Sequence, residues 1–344
     1  MGTDTGISRR YRAGRFSDLI GQEQLAQALR RAIEAHALGQ ALLLSGPRGT
    51  GKTSAARIIA RALNCEAIDQ GEPCGVCSAC RAITADASFD VLESNAASAN
   101  RVDDIRERLI PLMGTPPIEF RRRVIILDEV QRFTPEAWDA LLKWIEEPPR
   151  ALTLLFCTTD PSRLRPAVIS RLQRFEFRPI AAAAIAQKLK LILIGESRQA
   201  QDEAVDLIAR LADGSMRDAE TMLDQLLSAG PGVIEITRVE EFLGLPGRER
   251  TARILRALAD GAIAPVLTEM SEVGRLGRSI EALIEELMRD AAEALRAHGL
   301  GIEHPLSGYP RERLILLARG LSALRGGDRD LRRGLELLAF ELAV

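Results

Sequence analysis

Residues 46–53 read GPRGTGKT, a G-x-x-x-x-G-K-[ST] pattern set between the apolar run ALLLS at 41–45 and a helix-forming stretch that begins near Thr53. The chemistry this spacing supports is phosphate binding. Gly46, Gly49 and Gly51 let the backbone turn tightly, so that its N–H groups and the positive end of the next helix face anionic oxygens. Lys52 would reach the β and γ phosphates, and Thr53 would offer a hydroxyl ligand to Mg²⁺. Pro47, Arg48 and Thr50 complete the loop and Ser54 follows it, which makes all of them nucleotide-binding candidates. A second element, VIILDEV at 124–130, runs four apolar residues into two carboxylates at the end of a strand where ligands of open parallel sheets bind. Asp128 is expected to orient the magnesium shell and Glu129 to polarise the attacking water. An acidic pair after a strand is as readily a helix cap; the phosphate loop ahead of it is what turns the reading towards catalysis.

Four of the five cysteines, Cys65, Cys74, Cys77 and Cys80, form a C-x8-C-x2-C-x2-C array. Four thiolates this close can close a tetrahedron around Zn²⁺ with no open position left for catalysis, so the array predicts a structural site. Its task would be to order the polar insert GEPCGVCSACR, which carries too few apolar residues to fold by itself. Cys157, inside an apolar run, reads as a buried small residue. His36, His298 and His304 have no ligand or triad spacing, and no nucleophile constellation is present.

These groups need elements to hold them. Strands are predicted at ALLLS (41–45), FDVLE (89–93), VIILD (124–128), TLLFCT (153–158) and RFEF (174–177), separated by helical or loop-like sequence. Strands alternating with helices imply a largely parallel α/β sheet covered on both faces. From about residue 181 strand signals stop and amphipathic helices follow at 181–194, 203–212, 217–229 and 239–243; the helix breakers of GLPG at 244–247 separate them from longer Ala/Leu/Arg/Glu-rich helices. Trp138 and Trp144 fall on a helical stretch, where packing is a better reading than base stacking. Hydrophobic residues make up 46% and charged residues 27% of 344 residues, the balance of a folded globular chain of two or three domains. With no apolar run long enough to span a membrane and no apolar leader in MGTDTGISRR, a cytoplasmic location is expected. The formal charge of −2 excludes a uniformly basic nucleic-acid coat, so any DNA contact must be local.

Several segments together resemble the bacterial DNA polymerase III gamma/tau subunit family, the ATPases of the clamp loader. They are YRAGRFSDLIGQEQ at 11–24, the phosphate loop, the cysteine array, and the run from VIILDEV through LLKWIEEPP (141–149) and TTDPSRLRPAVISR (158–171) to GSMRDAETMLDQ (214–225). The resemblance implies an AAA+ P-loop core over 1–179 with a zinc-binding insert at about 64–82. It further implies a small helical lid over 180–243 and an all-α collar, or oligomerisation, domain over 244–344. It implies roles as well: Arg171 as a finger acting in trans on a neighbouring subunit's ATP, Thr158 or Thr159 as the sensor-1 residue, and Arg217 as the sensor-2 arginine. Tyr11, Arg12 and the Ile20–Gly21 turn would line the adenine pocket. The chain departs from the family pattern at Gln131 (usually histidine), Leu172 (usually cysteine) and Ala13 (usually proline), none of which removes a charge the reaction needs.

The implied activity is ATP hydrolysis that opens a ring-shaped sliding clamp and loads it on primed DNA, within a heteropentamer containing delta- and delta-prime-type subunits. Arg101 and Arg106, in ANRVDDIRERL at 99–109, are candidates for tracking DNA phosphates, and a solvated helix face is an equal reading. The long extension by which tau forms tether polymerase and helicase has no counterpart within these 344 residues. Two other classes fit parts of the pattern. A branch-migration motor or initiator would lack the four-cysteine insert and form a homohexamer, and a non-hydrolysing loader subunit would lack the intact Lys52, Thr53, Asp128 and Glu129. A small-molecule kinase is more remote, because no substrate-phosphate lid is recognisable.

Overall fold

The computed structural model describes residues 6–96, 105–245, 247–275, 279–306, 308–325 and 330–343. Two compact units are present, Met1–Val233 and Ile234–Val344.

In the first unit a short helix α1 (Ile7–Arg10) and a 3-10 turn (Phe16–Asp18) lead to α2 (Glu23–Glu34), β1 (Ala41–Ser45), α3 (Lys52–Asn64) and α4 (Ser78–Thr84). Then come β2 (Val91–Asn95), a π-helical turn (Ile105–Leu109), α5 (Ile110–Met113), β3 (Arg123–Asp128), α6 (Pro135–Glu146), β4 (Leu152–Thr158), α7 (Pro166–Ile169) and β5 (Gln173–Glu176). The strands lie within two residues of their predicted positions. All pair in parallel, in the order β2-β3-β4-β1-β5.

Period-two alternation splits the inner strands between two cores. Leu42, Leu44, Val124, Ile126, Leu155 and Cys157 face α2 and α3, where Ala55, Ala56 and Ala60 let the helix lie close to the sheet. Leu43, Ile125, Leu127, Leu154 and Phe156 face α6 and its buried Trp138. Trp138 meets Phe133 edge-on and Phe156 at a tilt, each at 5.5 Å between ring centroids, so its role is packing. Being covered on both faces is why β1, β3 and β4 read as continuous apolar runs, while the edge strands β2 and β5 are half-open.

A buried ion pair ties the β2 edge to β3. Arg123, 2% exposed, donates to Asp90 at 2.9 Å. Asp90 also accepts the backbone N–H groups of Ile118, Glu119 and Phe120 at 2.6–3.0 Å. Burial alone would push the Asp90 carboxyl up, but those amides and Arg123 hold it below its ordinary value. Removing one partner of such a pair costs about 3–5 kcal/mol.

Three helices complete the unit: α8 (Ala182–Gly195), α9 (Asp202–Leu211) and α10 (Met216–Ser228). Ile185, Leu189, Val205, Ile208, Leu223 and Leu226 are among their buried residues, set at helical spacing. Ser215 caps α10 by accepting the Asp218 N–H at 3.2 Å.

The named elements of the second unit are all helices: α11 (Ile236–Phe242), α12 (Arg248–Asp260), α13 (Ile263–Arg275), α14 (Ile280–Leu300), α15 (Arg311–Arg325) and α16 (Leu331–Ala343). Leu255, Leu258, Val266, Leu287, Leu317 and Leu338 belong to a core common to the last five. The compact unit starts at Ile234, ahead of the GLPG break, so α11 groups with the helices that follow it. Among the described residues no helix is long and apolar enough to cross a membrane.

Candidate nucleotide and metal sites

β4 lies between β1 and β3, and the site depends on that order. It places the Thr158 end of β4 between the loop after β1 and the carboxylates at the end of β3. Gly46 and Gly49 have positive φ of 143° and 74°, and a Cβ at either would collide, with the Phe177 carbonyl and the Ser215 hydroxyl respectively. α3 begins directly at Lys52, so its first-turn N–H groups open into the cleft. Lys52 is 6% exposed and donates to the carbonyls of Gly46 (2.8 Å) and Pro47 (2.7 Å). Burial lowers its ammonium below the ordinary value. The loop therefore holds a desolvated cation folded onto its own backbone, a donor that an entering phosphate can take over.

Thr53 donates to Asp128 Oδ2 at 2.8 Å, so the hydroxyl and carboxylate expected at a magnesium ion adjoin one another, which fits that ion's few protein ligands. The Glu129 N–H donates to Asp128 Oδ1 at 2.8 Å, and Glu129 itself is left-handed at φ 55°. Non-glycine residues held in that region concentrate at functional sites. Gln131 joins this group to β4. Its amide nitrogen donates to Glu129 Oε2 and, at 2.8 Å, to Thr159 Oγ1, while its carbonyl accepts the buried Thr158 hydroxyl at 2.8 Å.

One cleft brings together Tyr11, Arg12 and Ile20, the stretch from Arg48 to Ser54, and Asp128, Glu129, Thr159 and Arg217. Gly46, Pro47 and Thr158 are not part of its lining. Arg171 is outside it, after α7, paired with Glu146 at 2.7 Å. Arg101 lies outside the described residues, and only the backbone of Arg106 is described. α10 meets the loop directly, the Met216 N–H donating to the Gly49 carbonyl at 3.1 Å. Sequence reasoning missed Ser8, Asp18, Leu19, Ile180, Lys188, Met216 and Glu220 in the lining. For Glu220 a signal existed: a carboxylate on the apolar repeat of α10.

The sulfurs of Cys65, Cys74, Cys77 and Cys80 all lie within 4.8 Å of one another, and those of Cys74 and Cys80 are 4.0 Å apart. Ligands about 2.3 Å from a tetrahedral Zn²⁺ stand roughly 3.8 Å from each other, so the cluster can coordinate a metal. Backbone N–H groups already serve the thiols: that of Cys74 points at Cys65 Sγ (3.2 Å), those of Val76 and Cys77 at Cys74 Sγ (3.4 and 3.3 Å), and that of Cys80 at Cys77 Sγ (3.5 Å). The Val76 and Cys77 amides pull the Cys74 thiol down to about 6, while burial pushes Cys80 up.

Comparison with known proteins now places the chain. Residues 21–181 match the family model described as DNA polymerase III, delta subunit, and residues 184–232 that of the DNA polymerase III clamp loader subunit, ATPase lid domain. DNA polymerase III subunit tau of Bacillus subtilis is 36% identical over 282 residues, covering 82% of this chain and 50% of the relative. The subunit tau of Escherichia coli is 34% identical over 282 residues, covering 82% and 44%. The chain thus spans half or less of the length of these relatives. Among solved structures, the Thermotoga maritima RuvB Holliday junction branch migration motor superposes with a TM-score of 0.50 at 21% identity, covering 90% of this chain and 91% of that one. That likeness is one of fold alone, whereas both sequence relatives are tau subunits of DNA polymerase III. The chain belongs to the tau/gamma family of bacterial DNA polymerase III clamp-loader subunits, of the AAA+ type.

Proposed function

We propose that this chain binds and hydrolyses ATP as a motor subunit of a DNA polymerase III clamp loader, opening a sliding clamp and placing it on primed DNA. The observation that carries the reading is the convergence of Lys52, the Thr53–Asp128 pair, Glu129 and Arg217 on one cleft. A non-hydrolysing subunit has no use for that full set.

The backbone amides at the start of α3 would bind the β-phosphate, and Lys52 would exchange its two carbonyl acceptors for phosphate oxygens. A magnesium ion held by Thr53 and Asp128 would supply charge neutralisation on the β and γ phosphates. Glu129, aimed through Gln131 by Thr158 and Thr159, would orient and deprotonate the attacking water. Arg217 would sense the γ-phosphate from α10, and Arg171, away from its own cleft, would serve a neighbouring subunit's nucleotide.

Residues 180–243 would act as the lid and 244–344 as the collar that joins delta- and delta-prime-type subunits in a heteropentamer. Arg101 and Arg106 would face primed DNA, the four cysteines would hold a structural zinc ion, and the cytoplasm would be the site of action. Lys52→Ala should abolish nucleotide binding, whereas Glu129→Gln should bind ATP like the parent and lower turnover by roughly 100-fold or more. Equilibrium binding and steady-state hydrolysis in the clamp- and DNA-bound assembly check this pair. Parent-like turnover in Glu129→Gln would remove Glu129 from its role, and a homohexamer in native mass measurement would favour a branch-migration motor instead.

A further inference from the structure

Glu220 is a carboxylate on the apolar face of α10, the face that also buries Ala219, Leu223 and Leu226. It is only 6% exposed, and among the described residues no hydrogen bond or ion pair engages its carboxyl. It nevertheless lines the cleft. Burial raises it from its ordinary value to about 7, against the opposing pull of Lys188 and Arg12.

Its position in the cleft follows from the helix that carries it. α10 leaves the phosphate loop at Met216, bonded to Gly49, and Glu220 stands one turn further on, about 6 Å along the axis. The helix then continues to Asp224, which abuts Gly6 at the head of α1. Glu220 is therefore set back from the loop at Gly49, on the side of α1 and the Tyr11–Ala13 segment. Leu19, Ile20, Ile180 and Met216 contribute apolar wall to the cleft. Apolar wall beside a buried carboxyl that no partner engages suits a flat heteroaromatic ring with a hydrogen-bonding edge.

A carboxylic acid presents one donor and one acceptor side by side. Adenine offers the complement on its Watson–Crick edge, N1 as acceptor and the 6-amino group as donor. An ionised carboxylate presents two acceptors, which repel adenine N1 and match the N1–H and 2-amino donors of guanine. We propose that Glu220, buried in the wall of the cleft, is its base-reading residue and selects adenine over guanine. The proposal rests on the nucleotide-site reading above and adds to it a determinant of base identity.

The sign with pH follows. Below about pH 7 Glu220 is protonated and ATP is favoured; as pH rises through 7 the group ionises, ATP binds less well and GTP better. The charged groups facing it are Lys188 on α8 and Arg12 after α1, with Tyr11, Asp18 and Arg217 also in the lining.

The test is calorimetric titration of magnesium–ATP and magnesium–GTP into the parent, Glu220→Gln and Glu220→Leu, at about pH 6 and about pH 8.5, with folding verified by circular dichroism. For the parent, ATP affinity should fall about tenfold or more across that interval while GTP affinity rises. Glu220→Gln keeps one donor and one acceptor at every pH, so it should retain the ATP preference and lose the difference in slope. Titration of the nucleotide's own phosphates is common to all three proteins and cancels in the comparison. Glu220→Leu should bind both nucleotides with little discrimination. Equal pH slopes in the parent and Glu220→Gln, or a full ATP preference in Glu220→Leu, would overturn the proposal. A folded parent that binds neither nucleotide at either pH would overturn the nucleotide-site reading instead, and this proposal with it.

Discussion

Gln131 stands two residues past Glu129, where the family usually has histidine, and its single amide touches Glu129, Thr158 and Thr159. A carboxylate with free rotamers would spend little time aimed at a water on the γ-phosphate, and a tether to β4 reduces that loss. Gln131→Ala should lower kcat by about tenfold to 100-fold and leave KM for ATP nearly unchanged, because the amide orients the base without reaching the nucleotide. Gln131→His should recover part of the rate, since the two ring nitrogens of imidazole can keep some of these three contacts. Steady-state hydrolysis of the assembled complex measures both values, and an unchanged kcat in Gln131→Ala would show that the bridge is incidental. The motif made Glu129 legible at this scale. The Gln131 bridge was not, because it depends on which strand neighbours β3.

Glu72 links the cysteine insert to the segment that leads into the cleft. Glu72, two residues before Cys74, accepts the backbone N–H groups of Phe16 (2.8 Å) and Ser17 (2.9 Å) at the start of the 3-10 turn. The next residues, Asp18, Leu19 and Ile20, line the cleft. An insert with few apolar residues holds its shape only as far as its metal imposes one. Purified without chelators, the protein should carry about one equivalent of zinc, measured by elemental analysis; less than about half would remove the metal reading. Cys77→Ser should lower zinc content, melting temperature and ATP affinity together. Glu72→Gln should keep the zinc and weaken ATP binding severalfold, since a neutral amide accepts the two N–H groups less well than a carboxylate. Equal ATP affinity in parent and Glu72→Gln would mean the insert folds independently of the cleft.

At the scale of the whole chain the informative residue is Arg171, exposed after α7, held by Glu146 and absent from the cleft its own loop builds. A guanidinium placed this way contributes to hydrolysis only if another subunit brings a nucleotide to it. Isolated Arg171→Ala should therefore bind ATP like the parent. In the clamp- and DNA-bound assembly its stimulated hydrolysis should fall by about 10³-fold or more, the scale of arginine fingers. Mixing Arg171→Ala with Lys52→Ala subunits restores an intact arginine opposite an intact loop only across a boundary between subunits, so partial recovery supports action in trans. Loss of basal hydrolysis in isolated Arg171→Ala would place the arginine at its own site. The same experiment bears on the helices after residue 244, since a finger in trans requires an assembly for them to hold.

The sequence by itself determined the local chemistry and the elements that carry it. Glycines, a lysine and a threonine at fixed offsets specify a tight loop that opens a helix, two carboxylates mark the end of β3, and four close cysteines specify a thiolate cluster, because each is built from neighbours in the chain. The strand positions were equally legible, since a strand buried on both faces is an uninterrupted apolar run. Tertiary structure alone decided what depends on strand order and on contacts between distant segments. β4 entered between β1 and β3, and with it came the Gln131 bridge. Asp90 found Arg123, Glu72 found Phe16 and Ser17, and Glu220 brought an apolar helix face into the lining of the cleft. Periodicity shows that a residue is buried but not what it is buried against, and the cost of burying a charge is offset only by partners that the folded chain supplies.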